Sequence, residues 1–186
     1  MAITTANFKN GMAIMHNGKL WQIVDFQHVK PGKGGAFVRT KLKEVKTGRV
    51  VEDTFRAGEK FEDVRLENKT MQYLYNDGTD YHFMDTDSYE QVALPGDQVG
   101  EAAKWLKEND NATMLFAGAE LIGVEPPMFV ELAITETDPG FKGDTVQGGT
   151  KPAKLETGAV VQVPMFVNPG DSVKIDTRDG SYVTRV

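Results

Sequence analysis

No cysteine occurs among the 186 residues, which removes disulfides, thiolate nucleophiles and thiolate zinc sites together and fits a reducing compartment. Histidine is nearly as scarce. His16, His28 and His82 are scattered, with none at i, i+4 spacing from another and none set among carboxylates at ligand spacing, so no metal site is expected. No stretch approaches the ~20 consecutive apolar residues of a membrane helix. The start, Met1 to Asn7, lacks the basic region and the apolar core of roughly 7–15 residues that mark a signal peptide. A cytoplasmic protein with no membrane partner is expected. An enzyme of this size should show a nucleophile with its base, a metal cluster or a cofactor loop, and none is visible. No catalytic residue and no cofactor is therefore expected.

What is present is an ordinary soluble composition, 40% hydrophobic and 26% charged, with a net charge of −6. On average that acidity argues against a nucleic-acid partner. The average conceals a strong asymmetry. The pattern breaks near Val64 to Leu66 and at Pro126-Pro127, giving stretches 1–65, 66–127 and 128–186. The first carries 12 basic and 7 acidic residues (+5), the second 3 and 12 (−9), the third 6 and 8 (−2). Charge asymmetry of this kind points to an interaction surface. In the acidic stretch Asp77, Asp80, Asp85, Asp87 and Glu90 crowd together, suited to meeting a basic protein, to steering the basic stretch toward an anionic partner, or simply to a solvated surface that keeps the protein soluble.

Strand signals dominate. Short β-branched and aromatic runs recur between Gly, Asn, Asp or Pro at intervals of roughly 8–12 residues, an all-β rhythm. Met12 to Met15 and Leu20 to Val29 flank Asn17-Gly18, a tight-turn pair. Phe37 to Glu44 alternates Val38, Thr40 and Leu42 with Arg39, Lys41 and Lys43, and the turn Lys46-Thr47-Gly48 leads into Arg49 to Phe55. About five strands in some 60 residues suit a small closed barrel, which leaves no exposed sheet edge. The middle stretch repeats the theme with Met71 to Tyr75, the turn Asn76-Asp77-Gly78 and Tyr81 to Met84. It also contains the one predicted helix, Val99 to Glu108, with Val99, Ala102, Ala103 and Leu106 on one face and Asp97 as cap. An echo between Phe83 to Tyr89 and Lys174 to Tyr182 suggests that the second and third barrels are copies of one unit.

The most unusual segment is Lys30-Pro31-Gly32-Lys33-Gly34-Gly35, between strands ending at Val29 and beginning near Phe37. A phosphate-binding nucleotide loop does not fit: G-x-x-x-x-G-K-[ST] is absent, Gly34 stands where Ser or Thr belongs, and a strand follows instead of a helix. Glycines without side chains let a backbone enter a narrow space while Lys33 projects farthest forward. From Lys30 to Arg49 there are seven basic residues and one acidic one. The pattern is that of a slim tip on a broad cationic base, with Arg39, Lys41 and Lys43 as candidate phosphate contacts. A second glycine-rich loop, Pro139 to Pro152, follows a strand from Phe129 to Glu136. Its Gly, Asp, Thr and Gln residues suit contact with a sugar-phosphate chain or base edges.

Three segments, Phe26 to Gly34, Lys69-Thr70-Met71-Gln72-Tyr73-Leu74-Tyr75 and Gly143 to Ala153, together with the ending Gly180-Ser181-Tyr182-Val183-Thr184-Arg185, resemble the bacterial elongation factor P family across essentially the whole chain. The resemblance implies an all-β fold of three small β-barrels in an L-shaped, tRNA-like arrangement. Residues 1–65 would form an SH3-like (KOW-type) barrel, and residues 66–127 and 128–186 two OB-fold barrels. It implies a monomeric translation factor bound to both ribosomal subunits between the P and E sites, relieving stalling at consecutive prolines.

By the same resemblance Lys33 matches the tip lysine that reaches the acceptor end of P-site peptidyl-tRNA and often carries an extension added by a modifying enzyme. Lys30, Pro31, Gly32, Gly34 and Gly35 would form its loop. Gly143, Asp144, Thr145, Gly148 and Gly149 would form the loop facing the E-site codon of the mRNA. The tip here has Gly35 where some relatives have a stiffening proline, so modification of Lys33 is expected to supply reach. The alternative is a general single-strand nucleic-acid-binding OB-fold protein.

Overall fold

The computed structural model describes residues 1–140 and 148–186. Among the described residues sixteen strands carry almost all of the regular structure. The first sheet holds β1 (Ala2–Thr4), β2 (Ala13–His16), β3 (Lys19–Val29), β4 (Phe37–Glu44), β5 (Val50–Arg56) and β6 (Lys60–Val64). Its order is β1-β6-β2-β3-β4-β5, six strands where five are expected. The Asn17-Gly18 turn forms as its sequence requires, with φ of 51° and 73°. In β4 the alternation is realised: Val38, Thr40 and Leu42 are buried while Arg39, Lys41 and Lys43 face out.

Buried Thr5 draws the ends of the sheet together. Its N–H donates to Glu59 O (3.1 Å) and its hydroxyl accepts from Gly58 N (2.8 Å), tying the first 3₁₀ turn (Thr5–Asn7) to the β5–β6 connection. Inside, Phe8, Phe55 and Phe61 meet at centroid distances of 4.7–6.1 Å, with Ile14, Ile23, Val38 and Leu42 around them. In β3 the pairing steps from Ile23↔Leu42 to Asp25↔Lys41, leaving Val24 as a β-bulge. Below the bulge the odd-numbered Trp21 and Ile23 point inward. Above it the inward position passes to Phe26, whose ring lies 6.2 Å from Phe8.

The second sheet contains β7 (Leu66–Asn76), β8 (Asp80–Asp85), β9 (Gln91–Pro95), β10 (Asn111–Ala117) and β11 (Glu120–Glu125), in the order β11-β10-β7-β8-β9. The third contains β12 (Phe129–Thr137), β13 (Thr150–Leu155), β14 (Val160–Pro164), β15 (Ser172–Asp176) and β16 (Ser181–Arg185), in the order β14-β13-β12-β15-β16. Numbered within each sheet, both read 3-2-1-4-5 from one edge to the other. Both also bulge where their first strand pairs with the second, after Tyr73 in β7 and after Ile134 in β12. Shared topology therefore supports two copies of one unit.

The echo that suggests the duplication joins strands that are not equivalent, because Phe83 lies in the second strand of its sheet and Ile175 in the fourth. What the two segments share is turn chemistry. Asp85 accepts from the N–H of Asp87 and of Ser88, and Asp176 accepts from the N–H of Arg178.

The predicted Val99–Glu108 helix is corrected to a short helix α1 (Gly96–Val99) followed by a 3₁₀ segment, Gly100–Lys104. The cause is Gly100, held at φ 61°, ψ −138°, where a continuous α-helix cannot pass. Asp97 accordingly lies within the first turn and Pro95 takes the cap position. Val99, Ala102 and Leu106 are buried as their spacing predicts. Trp105 is buried too, and packs into the core of the third sheet with Leu132, Leu155 and Ile175. The chain divides into two compact units, Met1–Asn68 with Leu115–Gly123, and Lys69–Met114 with Val124–Val186. No helix among the described residues is long and apolar enough to cross a membrane.

Trp105→Ala should lower the stability of the second unit by about 3–5 kcal/mol, since removing a buried aromatic leaves a cavity that relaxes only in part. Urea unfolding followed by the remaining tryptophan and by circular dichroism will report it, the Trp21 signal serving as the internal reference for the first unit.

Candidate functional site

The β3–β4 ladder runs to Val29↔Phe37, so Lys30 to Ala36 form the hairpin tip with Lys33 at its middle. Lys30, Pro31, Gly32, Lys33, Gly34 and Gly35 are all exposed. Lys33 has no hydrogen bond or ion pair among the described residues. Of the tip glycines only Gly34 has a conformation that glycine favours, φ 108°; Gly32 and Gly35 have ordinary φ and open space where a Cβ would stand. The fold thus explains one glycine of the three. The other two keep the tip slim, which matters only to something outside the chain.

The candidate phosphate contacts lie in a row on the outer face of β4, with different surroundings. Arg39 is flanked across the ladders by Gln27 and Thr54, both uncharged. Lys41 stands between Asp25 and Glu52, and Lys43 between Gln22 and Val50, with its stem over Gly48. Only Lys41 therefore has carboxylates on both sides; unbalanced positive charge remains at Lys43 as well as at Arg39, Lys33 and Lys30 nearer the tip. At the opposite end of β4, buried Glu44 meets Lys19 at 3.2 Å, and that contact holds its carboxyl below the usual range.

Gly143, Asp144 and Thr145 lie outside the described residues. Gly148, at φ 62°, and Gly149 are exposed beside Thr150 at the start of β13. The stems of this connection are fixed: Thr137 Oγ1 donates to Pro152 O (2.9 Å), Lys151 Nζ donates to Asp138 O (2.5 Å), and Gly140 lies so close to Met165 O that a Cβ would stand 2.3 Å from it.

Two members of the acidic cluster, Asp77 and Asp85, serve turn chemistry. Asp77 accepts from Asp80 N (2.8 Å) and Thr79 N (2.9 Å) and meets His82 Nε2 at 2.8 Å; these contacts, led by the Asp80 donation, hold its carboxyl far below its ordinary value. Asp85 is lowered chiefly by the Asp87 and Ser88 N–H groups. Among the described residues no group of three or more His, Asp or Glu side chains could hold a metal. One cluster is invisible in the sequence because 45 positions separate its members: the β12–β15 ladder brings Lys174 to the exposed ring of Phe129.

Three domain families and many full-length proteins match this chain. The domain family described as "Elongation factor P (EF-P) KOW-like domain" matches residues 4–61, "Elongation factor P (EF-P) OB domain" matches 66–124, and "Elongation factor P, C-terminal" matches 130–185. A protein named Elongation factor P from Caldanaerobacter subterraneus subsp. tengcongensis is 56% identical over 184 residues, 99% of this chain and 100% of that protein. One of the same name from Finegoldia magna is 55% identical with the same coverage. A solved translation initiation factor eIF-5A family protein from Naegleria fowleri shares the fold at a TM-score of 0.53 and 17% identity, over 67% of this chain and 97% of that one. The three domain matches together with the full-length relatives define a translation elongation factor. The chain belongs to the elongation factor P family.

Two outcomes follow from the turn and tip geometry. Gly34→Ala should strain the tip by about 1–2 kcal/mol, whereas Gly32→Ala and Gly35→Ala should leave the melting temperature unchanged and impair only the activity of the factor in a translation assay. Because the Asp77 carboxyl is depressed in the folded state, its stabilising contribution is complete above its ordinary value of 3.8 and disappears as pH falls below it. The melting-temperature gap between the natural protein and Asp77→Ala should therefore be constant near neutrality and shrink from about pH 4 downward.

Proposed function

We propose that this factor binds the ribosome between the P and E sites, touching both subunits, and promotes peptide-bond formation at consecutive prolines by positioning P-site peptidyl-tRNA. The observation that carries the reading is Lys33, exposed and, among the described residues, unpartnered at the end of a long hairpin that also carries Lys30 and Arg39 near its tip. Proline is a conformationally restricted participant in peptide transfer. A probe that holds the tRNA acceptor end in a reactive geometry removes part of the entropic barrier without supplying a reacting group. The ribosome remains the catalyst, and the factor is a monomeric cytoplasmic positioning protein with no enzymatic activity and no cofactor.

In this reading Lys33 reaches the acceptor end, Lys30, Pro31, Gly32, Gly34 and Gly35 shape the probe, and Arg39, Lys41 and Lys43 ride on phosphates. Gly143, Asp144, Thr145, Gly148 and Gly149 face the E-site codon. A host enzyme extends Lys33, because a bare, glycine-flexible tip lacks reach and hydrogen-bond donors. The domain boundaries proposed are 1–65, 66–127 and 128–186.

A Pro-Pro-Pro reporter in a purified translation system should be rescued by the factor, and Lys33→Ala should abolish most of that rescue without changing the fold. Tight, salt-sensitive binding to free single strands without rescue would instead favour a general single-strand binder. Peptide mass spectrometry of the factor purified from its native host should show added mass on Lys33; unmodified Lys33 throughout would sink the modification.

A further inference from the structure

We propose that Phe129, Lys174 and Arg178 form a stacking platform for an unpaired RNA nucleotide on the C-terminal barrel. Phe129 opens β12 with 41% of its surface exposed, and Met128 beside it is exposed as well. An exposed aromatic at a strand start is common by itself; two cations converging on one ring are not. Lys174 Nζ lies 5.0 Å from the ring centroid and the Arg178 guanidinium carbon 6.0 Å.

The two cations differ in freedom. Arg178 is locked by Asp176, through Nε to Oδ1 at 2.9 Å and Nη2 to Oδ2 at 2.5 Å, so its plane is fixed beside the ring. Asp176 in turn is held low by that guanidinium and stays ionised. Lys174 has no carboxylate within ion-pair range among the described residues, although Glu131 faces it across the ladder. A third cation, Lys107, borders the shallow depression at Phe129 and donates to Glu131 O (2.9 Å), with Asp110 on the far rim.

These parts match the chemistry of a nucleotide. A ring face and a fixed guanidinium plane take the base by stacking and cation–π attraction, while the ammonium of Lys174, without an ion pair among the described residues, takes the adjacent phosphate. An acidic peptide would use the cations and leave the ring unexplained. An apolar protein segment would use the ring and strand three cations. The site lies on a different strand pair from the β12–β13 connection assigned to the codon. It rests on the reading of the chain as an RNA-contacting factor, but its direct test does not require proline rescue.

The probe is a single-stranded hexaribonucleotide, r(A)6, titrated at low salt into the full-length factor while the aromatic signals of Phe129 and the side-chain signals of Lys174 are followed by NMR. Saturable shifts at both residues are expected, with a weak dissociation constant. Phe129→Leu should weaken binding about tenfold or more, Phe129→Trp should retain it, and Lys174→Gln should reduce the salt slope by about one. No shift at Phe129 up to millimolar oligomer, or equal affinity for the natural protein and Phe129→Leu, overturns the platform. In the proline reporter, Phe129→Leu should raise the factor concentration for half-maximal rescue while the saturating rate is kept. If the natural factor gives no rescue yet binds r(A)6 at Phe129, the proposed function fails and the platform stands.

Discussion

The ladder between β3 and β4 is the constraint on which the N-terminal unit depends, because it must be a wall of the barrel and the stem of the exposed Lys33 hairpin with the same residues. Its inner face contributes Ile23, Val38 and Leu42 to the core, and its outer face carries the basic row of Arg39, Lys41 and Lys43. β4 is paired on both sides, by β3 and by β5, along nearly its whole length. A lysine on a free loop would sample a large volume. Lys33 instead sits only four residues past the last ladder pair on one side, so the rigidity of the barrel is transmitted almost to the tip.

The second unit applies a different economy. One strand order, read 3-2-1-4-5, is used in both of its sheets, with the first-strand bulge repeated. Trp105 gives its bulk to the core of the C-terminal barrel although it lies on the segment that follows β9. In the acidic middle stretch Asp77 and Asp85 close hairpin turns on backbone N–H groups.

Much of this was legible in the residues. Two-residue alternation in Phe37 to Glu44 fixes which side chains enter the core, and Asn17-Gly18 admits little but a tight hairpin. The resemblance of the tip and of the Gly143–Ala153 segment carried the family. The helix was misread because the apolar spacing of Val99, Ala102 and Leu106 is satisfied equally by a broken segment, and Gly100 breaks it. The echo between the later thirds was real chemistry at the wrong equivalence, since an aspartate that closes a turn on backbone N–H groups recurs wherever a hairpin needs one. The cluster at Phe129 was unreadable for a simpler reason: its partners meet only through the pairing of β12 with β15.

The bulge at Val24 has a consequence for how such a probe can vary. One residue inserted into a strand reverses which side of the sheet every later side chain occupies, and here it hands the inward position from Ile23 to Phe26. The segment from Asp25 to Val29 is therefore half a period out of phase with the segment from Lys19 to Ile23. A hairpin built this way can lengthen or shorten only in whole periods, two residues in each strand. Any odd change would turn Lys33 toward the opposite side of the sheet, so the length of this probe is quantised in steps of about 6.6 Å.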